Sequence, residues 1–276
     1  MLSLGWLSPT QGLDHAGETD HIVWEELMNL VFFSKPLLIL TCISALMYSC
    51  SSSEQPHFVS NENDFLTLTQ NGKDAGWRKI FNGEDLTGWE PQGDPAGYIV
   101  QDGLLVFPVA GSDAYIRTEE DFKDFELLLD FKIGRTANSG VFLRADREGG
   151  SPVFSGCEIQ ILDDFNYEAD TGYKPKDWQH TGSLYASVAP KVQALKPIGE
   201  WNTFHITYVG AQLKVELNGQ TLYDVDTLEV SVLHPDQPLF RDRAPSGFIG
   251  LQRHAPKEAK GDAFAWFRNI FVREIE

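Results

Sequence analysis

The chain reads as an all-β protein built as a two-sheet antiparallel sandwich, and three features of the sequence carry that reading. The first is alternation with a period of two. Phe125, Leu127, Leu129, Phe131 and Ile133 fall on one face of a strand, with Glu126, Asp130 and Lys132 on the other. Phe204, Ile206 and Tyr208 alternate with Thr203, His205 and Thr207 in the same way. The second is turn punctuation. Leu213, Val215 and Leu217 run into Asn218-Gly219, a dipeptide that suits a two-residue hairpin because both central positions need positive φ, and the returning strand covers about Gln220 to Val225. Asp102-Gly103 plays the same part between residues 98–101 and 104–107. The third is what the chain lacks: no long amphipathic helix and no βαβ rhythm interrupts these short runs. A closing strand is expected from about Phe264 to Glu274.

The N-terminal part follows other rules. Met28–Lys35 offers one cation, Pro36–Met47 is apolar, and the run ends at Ser49-Cys50, which is the order of a secretory leader and too short to span a bilayer comfortably. A cysteine placed there, before Ser51-Ser52-Ser53-Glu54-Gln55, resembles a bacterial lipoprotein processing site, although Met47 stands where such sites usually carry Leu. Lipidation at Cys50 and a bacterial cell-envelope location, anchored on the periplasmic or cell-surface side of the outer membrane, are what that resemblance implies. An uncleaved membrane anchor is the rival reading. Residues 1–27 hold five acids and no Lys or Arg, a poor start for a leader, so they read as an extension upstream of a true start at Met28. Residues 50–75 are polar and read as a tether carrying the lipidated Cys, leaving 76–276 as the globular domain.

Removing residues 1–49 takes away five acids and one base, so the formal charge moves from −18 to −14 on the remaining 227 residues. That length is ample for one sandwich. The acidic balance excludes nucleic acid as a partner and disfavours polyanionic glycans; a neutral sugar suits it better. Of the three cysteines only Cys157 lies in the domain, so no internal disulfide can form there.

Seven short motifs carry a family resemblance. They are Phe81-Asn82-Gly83-Glu84-Asp85-Leu86-Thr87-Gly88-Trp89, Asn138-Ser139-Gly140-Val141-Phe142-Leu143-Arg144, Glu158-Ile159-Gln160-Ile161-Leu162-Asp163, Thr181-Gly182-Ser183-Leu184-Tyr185, Gly199-Glu200-Trp201-Asn202, Gly250-Leu251-Gln252-Arg253-His254 and Ala265-Trp266-Phe267-Arg268-Asn269-Ile270. In this order they resemble the 3-keto-disaccharide (3-keto-glycoside) hydrolase domain. The resemblance implies a concanavalin A-like jelly roll, the fold of lectins and glucanases, and cleavage of oxidised sugars.

Where the chemistry lies is best read from Glu158–Asp163. Along a strand Glu158 and Gln160 share one face, and Asp163, of opposite parity, joins them only if the strand end shifts it. The run resembles the catalytic strand of jelly-roll glucanases, but Gln160 stands where they carry a carboxylate, and a conventional glycosidase needs two. The family's implied route needs one base. A ketone at C3 acidifies the C2 proton, the enolate expels the C1 substituent, and water adds. Glu158 or His254 is the candidate base, with Asp163 the third candidate catalytic residue and Arg144 a cationic donor to the ketone. Asn138, Gln160, Gln252 and His180 are candidate sugar contacts, and Trp178 and Tyr185 candidate stacking platforms. Trp89, Trp201 and Trp266 read as core.

No motif demands a cofactor. A divalent cation stays open only through the oxygen-rich run from Asp163 to Asp170, which lacks the turn Gly and closing Glu of a calcium loop and reads better as an acidic solvated loop. A non-catalytic carbohydrate-binding module of the same fold, using Tyr185, Trp178 and the polar face of 158–163, is the main alternative. A conventional jelly-roll glucanase is the third reading. The loops at about 145–156, 164–182, 186–200 and 226–246 are long, and long loops on a rigid sandwich are where a site is built.

Overall fold

The computed structural model describes residues 55–108, 113–254 and 263–276. The leader, the upstream extension and Cys50 lie outside the described residues. The chain begins with β1 (Phe58–Ser60), β2 (Leu66–Leu68), α1 (Gln70–Asp74) and β3 (Trp77–Lys79). Next come β4 (Trp89–Gln92), β5 (Ile99–Gln101), β6 (Leu104–Pro108), β7 (Ala114–Thr118), β8 (Phe125–Ile133) and β9 (Asn138–Ala145). Two single-turn helices, α2 (Pro152–Ser155) and α3 (Tyr167–Thr171), flank β10 (Cys157–Leu162). The rest is β11 (Asn202–Val209), β12 (Gln212–Leu217), β13 (Gln220–Asp226), β14 (Phe248–Arg253) and β15 (Ala263–Glu274).

Five strands form one sheet in the order β10-β9-β14-β7-β4. A second sheet runs β13-β12-β11-β8-β15-β6-β5, with β3 added beside β15. Every pairing in both is antiparallel. Hairpin pairs such as β12 and β13 alternate with neighbours distant in sequence, such as β9 and β14 or β8 and β15, as in a jelly roll. The expected alternation builds the core: Phe125, Leu127, Leu129, Phe131 and Ile133 of β8 are fully buried in one cluster with Val141, Leu143, Ile159, Ile161, Ile249 and Leu251 of the smaller sheet. Each such side chain contributes roughly 1.5–3 kcal/mol by leaving water. The two hairpin turns are also as expected. Asn218 and Gly219 have φ of 52° and 78°, and Asp102 and Gly103 have 53° and 79°.

The polar tether is where the fold departs from expectation. Residues 58–68 form a hairpin, β1 on β2, and α1 follows. The Phe58 ring packs edge-on against Trp77 at 5.3 Å and Phe271 at 5.0 Å. The polar residues that hid this element are its turn: Asn61 Oδ1 accepts the N–H groups of Asn63 and Phe65. The closing motif then clasps it. Leu66 N donates to Asn269 Oδ1, Asn269 Nδ2 donates to Asp64 O, and an Arg268 amine donates to Asn63 O, all at 2.8–2.9 Å. The opening motif is equally structural. Asn82 Oδ1 accepts from the N–H groups of Glu84 and Asp85, and the buried Trp89 donates to Ile80 O. Trp201 and Trp266, expected in the core, instead lie half-buried on the outward face of the larger sheet beneath Lys132, with Arg268 also over Trp201.

Candidate active site

The outward face of the five-stranded sheet follows from its register. Glu158 pairs with Phe142, Gln160 with Gly140 and Leu162 with Asn138. Gly140 also pairs with Gln252, and Gln252 with Tyr115. Partners across an antiparallel pair share a face, so Glu158, Gln160, Asn138 and Gln252 stand on one surface. They line a cleft of about 370 Å³ together with His254, Tyr185, Tyr167, Tyr173, Gln179 and Phe154. The last four were not singled out in the sequence; they come from the long segments 145–156 and 164–182. A second hollow of about 330 Å³ adjoins it, sharing Ser151, Val153, Gln252 and His254 and adding Gln92, Asp113 and Tyr115.

Glu158 is the unusual group here. It is 3% exposed, its Oε1 has no hydrogen-bond partner among the described residues, and burial pushes its carboxyl up to about 8. Desolvation without a cation or a donor to compensate disfavours the charged form. Gly140 makes room for it: a Cβ at position 140 would collide with Glu158 Oε1. Gly140 is therefore needed for space, not for backbone freedom. Beside it, Gln160 Nε2 donates to Asn138 Oδ1 at 2.8 Å, and Gln252 Oε1 is buried with no partner among the described residues. Two orphaned acceptors facing one cleft are what a hydroxyl-bearing ligand would satisfy.

His254 lies in the same cleft, half exposed, with Nδ1 2.7 Å from Asp113 Oδ1. Its N–H donates to Asn138 O, four residues along β9 from the partner of Glu158 and one strand further over. The two backbones are thus about 13 Å apart along the strands and about 10 Å across them. The Glu158 carboxyl leans over Gly140, two residues from Asn138 on β9, so the side chains approach more closely than the backbones do.

Four expectations need correction. Asp163 is fully buried and its oxygens accept from the N–H groups of Thr136, Phe165 and Asn166 and from Asn166 Nδ2, so the strand end turns it inward as a loop anchor. Arg144 has φ of 51°, which swings its guanidinium away from the cleft onto Gly210 O, Tyr208 O and Asp124, stacked on the Tyr208 ring at 3.5 Å. His180 pairs with Asp164, whose carboxylate raises its pKa, and it is not among the cleft-lining residues. Trp178 meets Tyr185 edge-on at 5.1 Å and carries Lys176 over its ring, so it braces Tyr185 and is not itself part of the lining. The run from Asp163 to Asp170 is solvated only in part: Glu168 is exposed, while Asp170 is held by Arg135 and Thr136. Among the described residues no group of three His, Cys, Asp or Glu could hold a metal ion.

Comparison with known proteins agrees with this architecture. A curated 3-keto-disaccharide hydrolase of Bacteroides thetaiotaomicron is 28% identical over 237 residues, which is 73% of this chain and 79% of the relative. A proposed glycosyl hydrolase of Parabacteroides distasonis, solved as a crystal structure, is 27% identical with a TM-score of 0.63, covering 76% of this chain and 99% of that one. Another from the same organism is 28% identical with a TM-score of 0.60, covering 72% and 99%. With residues 76–273 matched from the opening motif to the closing strand, the chain belongs to the 3-keto-alpha-glucoside-1,2-lyase-like domain family.

Proposed function

We propose that this protein cleaves the glycosidic bond of 3-keto-glycosides, including 3-keto-disaccharides, by proton abstraction, elimination and hydration. The observation that carries the reading is Glu158: one buried carboxyl, without a counter-ion, facing a cleft lined by amides and phenols. A hydrolysis that leaves the sugar unoxidised wants two carboxyls flanking the bond. Among the described residues lining the main cleft, Glu158 is the one carboxylate. A ketone at C3 removes the need for the second, because it makes the C2 proton acidic enough for a single base. A group titrating near 8 accepts such a proton far better than an ordinary carboxyl does.

In the first step Glu158 takes the C2 proton and its electron pair forms the enolate with C3. The enolate collapses, C1=C2 forms and the C1–O bond to the aglycone breaks. Water then adds its hydroxyl to C1, and Glu158 returns the proton to C2. Asn138, Gln160 and Gln252 present amide N–H donors and carbonyl acceptors to the sugar hydroxyls along the floor. With Arg144 directed elsewhere, the ketone oxygen is left to these neutral donors.

The test is incubation of the full chain with a 3-keto-disaccharide and with its unoxidised parent. Release of the free sugar from the first alone supports the reading. Binding without turnover would make this a carbohydrate-binding module, and turnover of the unoxidised sugar a conventional glycosidase. The apolar run before Cys50 supports a lipid-anchored envelope location. Cys50→Ala should release the protein from the membrane fraction, and retention there would favour an uncleaved anchor.

A further inference from the structure

The mechanism above leaves the aglycone oxygen without a proton. Its acid must sit close to the base, because C1 and C2 are bonded neighbours. Asp163 and Arg144 face away from the cleft, and the His254 imidazole is engaged with Asp113. Tyr185 is different. Its backbone N–H donates to Glu158 O at 2.9 Å, and its side chain lines the same cleft, near enough for the Glu158 charge to act on it.

The direction of its hydroxyl is set by neighbours. Tyr173 Oη donates to Gln179 Oε1 at 2.8 Å, and Lys176 N donates to the same oxygen at 3.0 Å. With Oε1 occupied by two donors, the amide nitrogen is the group Gln179 has left to offer in the cleft it shares with Tyr185. A phenol oxygen that accepts from an amide keeps its own hydrogen for another acceptor. The backbone is fixed as well. Ala186 is held at φ 55°, a costly conformation for a residue with a Cβ, by Leu184 N donating to Val188 O and Leu233 N donating to Ala186 O. Trp178 braces the ring from its edge.

We infer that Tyr185 is the proton donor to the departing aglycone, a catalytic residue aimed by the Tyr173–Gln179 relay. This rests on the elimination reading. As the C1–O bond breaks, the phenol proton passes to the aglycone oxygen and leaves a phenolate. That phenolate then takes a proton from the water whose hydroxyl adds to C1, while Glu158 returns its proton to C2. Both residues end as they began, and the sum is 3-keto-glycoside plus water giving 3-keto sugar plus alcohol.

The experiment compares two leaving groups on Tyr185→Phe. A sugar alcohol needs protonation to leave, whereas 4-nitrophenolate does not, and its colour reports the elimination step alone. With a 3-keto-disaccharide kcat should fall about 10²-fold or more, and with a 4-nitrophenyl 3-keto-glucoside by less than tenfold. Equal losses on both would make Tyr185 a merely structural residue and overturn the inference; so would full activity on both. If the wild type turns over neither substrate, the elimination reading itself falls and this inference with it. Should Tyr185→Phe fail to fold, Gln179→Met asks the same question. It should show the same selective loss on the sugar leaving group at reduced size, and no selectivity would count against the relay.

Discussion

Two buried carboxyls, one on the outward face of each sheet, have opposite surroundings. Asp130, on the larger sheet, accepts from Thr203 Oγ1 at 2.6 Å, from Asn269 Nδ2 at 2.7 Å and from Arg268 Nε at 3.3 Å. Glu158, on the smaller sheet, leaves Oε1 without a partner among the described residues. Both residues are at least 94% buried. The Asp130 arrangement is what a scaffold requires: a desolvated charge compensated on every side, here joining β8, β11 and β15 to the N-terminal hairpin. Nothing structural is gained by leaving Glu158 uncompensated. A buried acceptor kept empty above a cleft has the energetic signature of a group whose partner is a ligand.

The largest expected effects come from exchanging the roles. Glu158→Gln keeps the shape and removes the base, so aglycone release should drop about 10²-fold or more while the fold is retained. Asp130→Asn should do the reverse. It strips the charge that compensates buried Arg268 and should cost about 3 kcal/mol in denaturant unfolding, with kcat per folded molecule unchanged. If Glu158→Gln lost stability and kept its rate, the contrast between the sheets would be broken.

A pH series sharpens the same contrast. Glu158 titrates near 8 in the folded chain against an ordinary 4.5, so between those values the folded chain holds a proton that the unfolded chain has released. Stability from this group is full below about pH 4.5 and is lost as pH rises through about 8. Glu158→Gln has nothing to titrate, so its melting temperature should gain on the wild type over that window. In the opposite sense, kcat/KM of the wild type should rise with pH and level off above about 8, since the base must be ionised. A flat difference in melting temperature between pH 5 and 8 would mean that Glu158 is charged and paired in solution.

How much of this was legible in the sequence depends on what fixed each feature. Alternation announced β8, β11 and β12, because in those strands one face is core and the other is wet. The face of β10 bearing Glu158 and Gln160 was equally readable, since parity follows from the strand alone. The directions of Arg144 and Asp163 were not. Arg144 leaves the cleft through a positive φ that no local pattern marks, and Asp163 is captured by N–H groups of a loop whose path is tertiary. The hairpin at 58–68 was hidden because its apolar positions face Trp77 and Phe271 of distant strands. The motifs that identify the family most readily, at the two ends of the domain, turned out to be clasps.

Gly140 links the orphaned carboxyl to the sheet beneath it. Gly140→Ala places a methyl where Glu158 Oε1 lies, and the carboxyl has the shorter path to relieve the clash by swinging into the cleft. Aglycone release should fall about tenfold or more through misplacement of the base, with a stability cost of about 1–3 kcal/mol. Unchanged kinetics would show that Glu158 works from another rotamer.

The smallest effect is expected at His254, and it decides between the two bases that the sequence offered. Its imidazole is half exposed and tied to Asp113, at the end of a strand two over from that of Glu158. A residue engaged in this way is placed to hold the substrate, and the elimination reading gives C2 to Glu158. Truncating it should therefore weaken binding in ground state and transition state alike. On this reading His254→Ala raises KM by less than tenfold and leaves kcat and its limb near pH 8 in place, the pattern of a uniform binding contact. Were turnover instead to drop by about a hundredfold or more, with the pH limb abolished, the base would move to His254 and Glu158 would become the group that positions the sugar.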